Sequence, residues 1–443
     1  MKWVFIAGLV ILVPLLIGLF RSNQKYLVYA AFAIGALPFV IVPHLYAAPY
    51  SWAGWQGTVK GIEVSLLDAV AVAVLFSTPK ARIPLPLKLA FLLLMVGVAV
   101  STAVAYQKLP ALFYVWQLMR AGVLFVAVFR LCSAVPQAPL AMVAGAGLGL
   151  IYESILATRQ YLSGDPRPGG NLGHSNFLGL SASMVTFPAL SWALGGRRFL
   201  FPSLVVLGGL ISGIVGGSRA TLGLFGIGVV LTIALSLMHR RTSRKAAIAG
   251  TAFVLLVLSL PAMLWALDRR SAQDRQSSNE ERTLMKRAAV MMITDHPLGV
   301  GANNYVLVAN LGGYSERAGV PWNYANRSAP VHSAYYLVAA ELGFLGLGGF
   351  VALLSTLLLY SIRAVGRTWP DQASELIPGF GASMIIVSIH VGYEWVFMHF
   401  DLHYVFAIAS GIVVSLSARA RAAVSKRVPV GVQLGGSMVR QGV

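Results

Sequence analysis

The side chains that could do chemistry in this chain stand just outside its apolar runs. His332, in "RSAPVHSAYYLVAAELGFLGLGGF" (327–350), is one step ahead of a stretch fit to cross a bilayer. An imidazole titrates near neutrality, so a neutral ring there can take a proton from a hydroxyl. Arg219, in "GGSRATLG" (216–223), stands where a helix is expected to begin, behind two glycines that let a ligand approach the backbone. A helix N-terminus carries a partial positive charge, and an added guanidinium makes it an anion site suited to phosphate. The segment "ATRQYLSGDPRPGGNLGHSN" (157–176) supplies Arg159 and Arg167 as further cations, and His174 and Asn176, which suit either capping the next helix or binding sugar. "SNEERTLMKRAAVMMITDHPLGVGANNY" (278–305) brings Lys286, Arg287, Asn303 and Asn304. His399, Asp401 and His403 have a spacing that zinc can use, but beside Trp395, Phe397 and Tyr404 they read more simply as interfacial anchors.

These residues must be positioned by membrane helices. Of 443 residues, 57% are hydrophobic and only 11% charged, and the mean hydropathy is +0.74. A water-soluble globule would carry about a quarter charged residues, so that class is excluded. The expected fold is all-α, a polytopic integral membrane bundle of about 12–13 helices. Thirteen apolar runs have the length to span a ~30 Å hydrocarbon core: 3–20, 26–43, 62–78, 85–105, 110–131, 138–157, 175–195, 198–216, 219–238, 246–267, 334–361, 375–397 and 401–418. The first follows Lys2 like a signal peptide, but no small-residue cleavage site precedes "RSNQKY", so it reads as a retained span. The domains expected are an N-terminal bundle (1–267), a large external loop (268–333), C-terminal spans (334–418) and a basic tail (419–443).

The formal charge of +19 would suggest nucleic acid in a soluble protein; here its distribution points to the bilayer instead. Alternate short loops hold more than half of the 34 Lys and Arg residues, among them Lys80, Arg82 and Lys88, the group Arg240, Arg241, Arg244 and Lys245, and the tail's Arg419, Arg421, Lys426 and Arg427. The positive-inside rule puts those loops in the cytoplasm. Segments 157–176, 216–220 and 268–333 then face the periplasm or cell exterior, and the active face with them. The single cysteine, Cys132, excludes a disulfide framework and a four-thiolate metal site. A transporter would gather its polar residues at the midplane of an inverted repeat, and neither feature is legible here.

Within the loop, 278–296 repeats apolar residues at Leu284, Ala288, Met291 and Met292, behind a capping Ser278 or Asn279, and predicts an amphipathic surface helix that ends at His296-Pro297. Inside the spans, Arg120, Asp68, Glu153, Glu341 and Glu394 are costly unless paired. Asp68, Glu153 and Glu394 are expected in salt bridges, for instance with Arg120. Glu341 is nine residues past His332 and turned about 180° from it at 100° per residue, so it is expected to anchor the helix to a neighbour.

Four stretches, "RPGGNLGHSNFLGL" (167–180), "GSRATLG" (217–223), "DHPLGVGANNY" (295–305) and "VHSAYYLVAAELGFLG" (331–346), occur in the order and spacing of the O-antigen ligase and polymerase superfamily, which this chain resembles over roughly residues 160–360. The resemblance implies a metal-independent, cofactor-free membrane glycosyltransferase of the bacterial inner membrane. It would pass a glycan from undecaprenyl pyrophosphate, with inversion, to an acceptor hydroxyl on the periplasmic face. His332 would be the base and Arg219 the group that stabilises the departing pyrophosphate. Arg167, Arg159, Arg287, Lys286, His174, Asn176, Asn303 and Asn304 would bind diphosphate or sugar. The acceptor would be another glycan, lipid A core or protein, with a flippase and a chain-length regulator as further partners. Many members carry His-Asn where this chain has His332-Ser333, and ligases often place a second histidine just before, where Pro330-Val331 stand here. That departure favours a polysaccharide polymerase over a ligase.

Overall fold

The computed structural model describes residues 2–40, 45–196, 199–251, 272–367, 369–395 and 399–425. It is a helical bundle with one small hairpin. α1 (Lys2–Ser22) and α2 (Gln24–Ala36) lead to β1 (Tyr46–Ser51) and β2 (Gly61–Ser65), an antiparallel pair. α3 (Leu66–Ser77), α4 (Leu85–Ala103), α5 (Lys108–Ala134), α6 (Ala138–Leu162), α7 (Ser175–Gly195), α8 (Leu200–Val215) and α9 (Arg219–His239) follow. Residues 243–251 are helical (α10), and α11 covers Ala272–Asp295. Three short helices, α12 (Tyr305–Leu311), α13 (Tyr314–Arg317) and α14 (Tyr324–Arg327), complete the large loop before α15 (Ala334–Val365), α16 (Ile377–His390) and α17 (Phe400–Ser425).

Among the described residues nine helices are long and apolar enough to cross a membrane, and α3 and α8 are shorter apolar helices. Most of the expected spans therefore exist, with three corrections of extent. The run 62–78 opens as strand β2, because Ser65 caps α3 by accepting from the Asp68 N–H while the Asp68 carboxylate accepts from the Ser65 N–H. The run 26–43 leaves the α-helix at Ala36 for a 3₁₀ turn containing Pro38, and 375–397 stops at His390. The run 246–267 falls largely outside the described residues, as do Arg197, Arg198, Lys426 and Arg427.

α4 lies along α15, α2 along α6 and α5 along α17, while α7 packs with α8, α9 and α16. The α4–α15 crossing is tight enough that a Cβ on Gly97 would fall 2.3 Å from the Gly346 nitrogen. In lipid, where apolar side chains gain nothing by leaving the tails, such backbone approach is a main source of helix adhesion. One end of the bundle is pinned by ion pairs between Lys245 and Glu375 (2.7 Å) and between Arg419 and Asp371 (3.0 Å). The chain's alternation puts the hairpin and the large loop at the other end.

α15 is broken. Gly343 has φ 66° and ψ −172°, a conformation essentially confined to glycine. The turn 297–301 fills the break: Val300 and Gly301 donate to the Ala340 and Glu341 carbonyls (2.9 and 3.0 Å), and Phe344 N–H donates to the Pro297 carbonyl (3.1 Å). Backbone groups freed within a membrane helix must find partners inside the protein, and this loop supplies them. The outer segment, 334–342, is thereby a separate short helix.

α11 ends at Asp295, before His296-Pro297 as expected, and buries Met285, Ala288, Ala289 and Met292. Ser278 and Asn279 do not cap it; the helix already runs from Ala272, so both lie in its interior.

Candidate functional site

His332 is held at the mouth of the short outer segment of α15. Ser333 is the N-cap residue, and the next amide, on Ala334, donates to the carbonyls of Val391 (2.8 Å) and Glu394 (3.1 Å). Glu394 lies in the loop after α16 and grips the same point twice: beyond its carbonyl, its carboxylate Oε2 is 3.2 Å from His332 Nδ1. The other oxygen, Oε1, accepts from Arg282 of α11 at 2.8 Å. The Glu394 side chain is 1% exposed, Arg282 30% and His332 24%, so the carboxylate is sealed and the ring reaches the surface.

Burial pushes the Glu394 carboxyl up, but the hydrogen bond with His332 and the charges of His332, Arg282 and His390 outweigh it and hold the group below the ordinary glutamate value. As a carboxylate it can only accept, so the Nδ1 proton is on His332, and in the neutral ring it is Nε2 that carries the lone pair of a base. Among the described residues no side chain bonds Nε2. A positioned imidazole oriented by a buried carboxylate is the general-base half of a catalytic triad.

His174 feels Glu394, Arg167, His332 and His399, so the segment 157–176 belongs to the same region. Its ring caps α7, Nδ1 accepting from the Asn176 N–H at 3.1 Å. Burial holds this imidazole below its ordinary pKa; Glu394 opposes that, and Arg167, His332 and His399 reinforce it. Phe177, one turn on, contacts the rings of His174, His399 and Trp395 at 5.2, 4.8 and 5.8 Å. Asn176 is buried with its Oδ1 unbonded.

Arg219 is the first residue of α9, behind Gly217 at φ 65° and the cap Ser218, which accepts from Thr221. Its side chain is outside the described residues. The turn comes close to the 157–176 segment, since a Cβ on Gly217 would lie 3.6 Å from the Pro166 carbonyl and one on Gly216 3.6 Å from Ser175 Cβ. Arg159 and Arg167 are exposed. Lys286 follows Arg282 by four residues, one turn along α11 on the same face, and Arg287 is exposed beside it.

Asn303 and Asn304 are not arranged as ligands. The Asn303 amide donates to the carbonyls of Val59 (2.7 Å) and Pro110 (3.1 Å) and accepts from the Val59 N–H, while Asn304 accepts from Gln107 and donates to Gln107 and Ala302. Both are spent on tying the loop to the hairpin and to the start of α5. With Tyr305 they also present backbone N–H groups to Glu341, whose Oε1 accepts from Tyr305 at 2.9 Å. Asn303 takes φ 62° to do so, a left-handed conformation that asparagine tolerates. Glu341 thus anchors α15 to the neighbouring turn 303–305.

The other membrane carboxylates divide. Asp68 pairs with Arg120 at 2.8 Å, with Glu63 3.6 Å from the same guanidinium and the Tyr404 hydroxyl bonded to both Arg120 and Asp68. Glu153 forms no salt bridge among the described residues; its Oε2 accepts from the Asn171 N–H at 2.9 Å, fixing the loop that leads to His174. Glu394 is paired, but with Arg282 and His332 rather than Arg120. His399 lies 3.1 Å from Asp401, while His403 bonds Gln117. The described residues contain no group of three side chains set to hold a metal ion.

Glu394 and Arg282 are the members of the site that residue types did not single out for this role. The available signal was a lone carboxylate in "GYEWVF" where a span ends, and an arginine one turn before Lys286.

No curated protein matches the chain significantly. A family model described as O-antigen ligase matches residues 203–351, about a third of the chain. The matched stretch contains Arg219, Arg282, Lys286, Arg287, Asn303, Asn304, Glu341 and His332; the segment 157–176 and Glu394 lie outside it. Over these residues the chain is similar to the O-antigen ligase family, and they lie within a helical membrane bundle.

Proposed function

We propose that the protein transfers a glycan from a polyprenyl pyrophosphate carrier to an acceptor hydroxyl at the His332 mouth. In this reading it is a polysaccharide polymerase of the bacterial inner membrane, with its site on the periplasmic side. The observation that carries the reading is the His332–Glu394 pair, a surface-reaching imidazole whose proton is fixed on Nδ1 by a sealed carboxylate. Nε2 takes the proton of the incoming hydroxyl as its oxygen attacks the anomeric carbon, and the bond to the pyrophosphate breaks with its electron pair on the leaving oxygen. Negative charge grows there, and cations fixed near a low-dielectric surface stabilise it. Arg219 at the start of α9 is assigned that task, with Arg167, Lys286 and Arg287 in support. Attack from the face opposite the leaving group inverts the anomeric centre and needs no metal.

A ligase that hands the glycan to lipid A core is the second reading, favoured by the description of the matching family. Products separate the two: purified protein given only an undecaprenyl-pyrophosphate repeat unit makes longer lipid-linked glycans if it is a polymerase and none if it is a ligase. The site itself is tested with His332→Ala, which is expected to lower turnover by about 10² to 10⁴, the worth of a positioned acid-base group, while donor binding and folded yield persist. Normal turnover per folded molecule would remove His332 from the chemistry.

A further inference from the structure

A second site lies away from His332, in a groove of about 740 Å³ bounded by α3, α4, α5, α15 and α17. Its walls are aliphatic and aromatic, with Leu87, Phe91, Leu118 and Phe406 among them. Along α5 the lining runs from Tyr114 to Arg130, sixteen helical steps or about 24 Å of helix. That is the scale of an extended hydrocarbon chain lying along the bilayer normal.

The groove's cations gather at one end, while Tyr114 and His403 line the other. Lys80, Lys88 and Arg130 line the cationic end, which is the bundle end pinned by the Arg419–Asp371 pair: Arg419 also reaches the carbonyls of Cys132, Val135 and Pro136, just past Arg130. The sequence has no Asp or Glu between Asp68 and Glu153, and none of the three cations has a carboxylate partner among the described residues. Arg130 donates through one terminal nitrogen to the Leu75 carbonyl at 3.3 Å, and its Nε is buried with no hydrogen-bond partner. A buried guanidinium donor without a protein partner is costly unless something else accepts from it.

An apolar trough the length of a hydrocarbon chain, ending in three unneutralised cations, is the shape of an anionic lipid. We infer that the groove seats one anionic glycerophospholipid of the bilayer, its acyl chain along α5 and its phosphate on Arg130, Lys88 and Lys80. Bulk zwitterionic lipid would fill the trough equally well but would leave the cation end half satisfied. At its far end the groove touches Val338 and Leu342, on the same short α15 segment that His332 precedes, so the bound chain supports the helix that carries the proposed base.

The test uses the full chain in nanodiscs of mixed phosphatidylglycerol and phosphatidylethanolamine, with retained lipid counted by native mass spectrometry after stepwise delipidation. One phosphatidylglycerol is expected to stay on the wild type. Arg130→Gln with Lys88→Gln should weaken its retention by roughly fivefold per cation removed. Gly122→Leu, which fills the trough opposite Phe91, should abolish it, and Arg363→Gln, exposed on the last turn of α15, should leave it unchanged. If Arg130→Gln lowers the folded yield, the exposed pair Lys80→Gln and Lys88→Gln carries the same comparison. Equal retention of the two lipids, full retention in the charge variants, retention in Gly122→Leu, or stoichiometric displacement by a polyprenyl pyrophosphate would each overturn the assignment.

Discussion

Replacing Glu394 with glutamine keeps the shape of the site and removes the carboxylate that, in the proposed reading, makes His332 a base. The carboxylate can only accept, and at 3.2 Å from Nδ1 it fixes the proton there. A glutamine amide can turn its NH₂ toward Nδ1, which moves the ring proton to Nε2 and leaves nothing to receive a hydroxyl proton. Up to the whole worth of the base is then at risk, about 10² to 10⁴ in rate, or roughly 2.7–5.4 kcal/mol at 1.36 kcal/mol per tenfold. Arg282 keeps the amide oxygen as an acceptor but loses the opposite charge, and at 30% exposure water screens much of that loss, so the folded yield should fall less than the rate. The assay is turnover per folded molecule with an undecaprenyl-pyrophosphate glycan, measured for the wild type, Glu394→Gln, His332→Ala and the double variant. Because the two residues act as a unit, the double variant should be no slower than His332→Ala alone. The pH dependence has a definite sign. Glu394 titrates below its ordinary value when folded, so its contribution to stability is complete above the unfolded pKa of about 4.3 and is lost as pH falls through the lower folded value. Between pH 5 and 8 the grip on His332 is constant, and any activity limb there belongs to another group. A rate for Glu394→Gln within threefold of wild type, or an additive double variant, would refute the orienting role.

Arg219→Ala should abolish product while Arg219→Lys keeps a small activity, since lysine supplies charge without the two-pronged guanidinium; full activity of the alanine variant at normal protein level would exclude Arg219 from the site. Asp68→Asn should destabilise the bundle by about 3 kcal/mol, the low end for breaking a buried pair, because Arg120 retains Glu63 at 3.6 Å. Denaturation in detergent reads that loss, and an unchanged midpoint would show the pair to be idle. A reporter active only in the periplasm should work when fused near residue 310 and fail near residue 243, and the reverse would overturn the sidedness on which every external assignment depends.

The spans were legible because lipid imposes one rule on every helix, about twenty apolar residues without charge, and local composition reports it directly. The same rule hid the hairpin: Ile62 and Val64 are apolar enough to be read as the start of a span, and only pairing with Tyr46–Ser51 makes them a strand. His332 stood out as a candidate because an ionisable ring at a helix mouth is unusual, and Glu341 as an anchor because a carboxylate inside a span needs a partner. Glu394 was seen as a buried charge needing a partner, but the identity of that partner is a tertiary fact: His332 is 62 residues away and Arg282 is 112. Asn303 and Asn304 illustrate the converse. Amides near a predicted site suggest sugar, yet these two answer the backbone demands of the turn they sit in.

The break at Gly343 explains why a chemical group can be held so firmly at a membrane surface. A continuous helix would be positioned by its packing along its whole length, and its mouth would drift with any tilt of the bundle. Here the outer segment 334–342 is fastened at both ends instead. At its start, the Ala334 N–H is bound by the carbonyls of Val391 and Glu394; at its end, the Ala340 and Glu341 carbonyls and the Glu341 carboxylate are bound by the turn 300–305. The residue that fastens the start is also the residue that orients His332. Position and protonation of the proposed base therefore share one support. A change that loosens the segment, at Gly343 or in the 297–305 turn, is expected to reach the chemistry through the angle of the imidazole even though it touches no substrate.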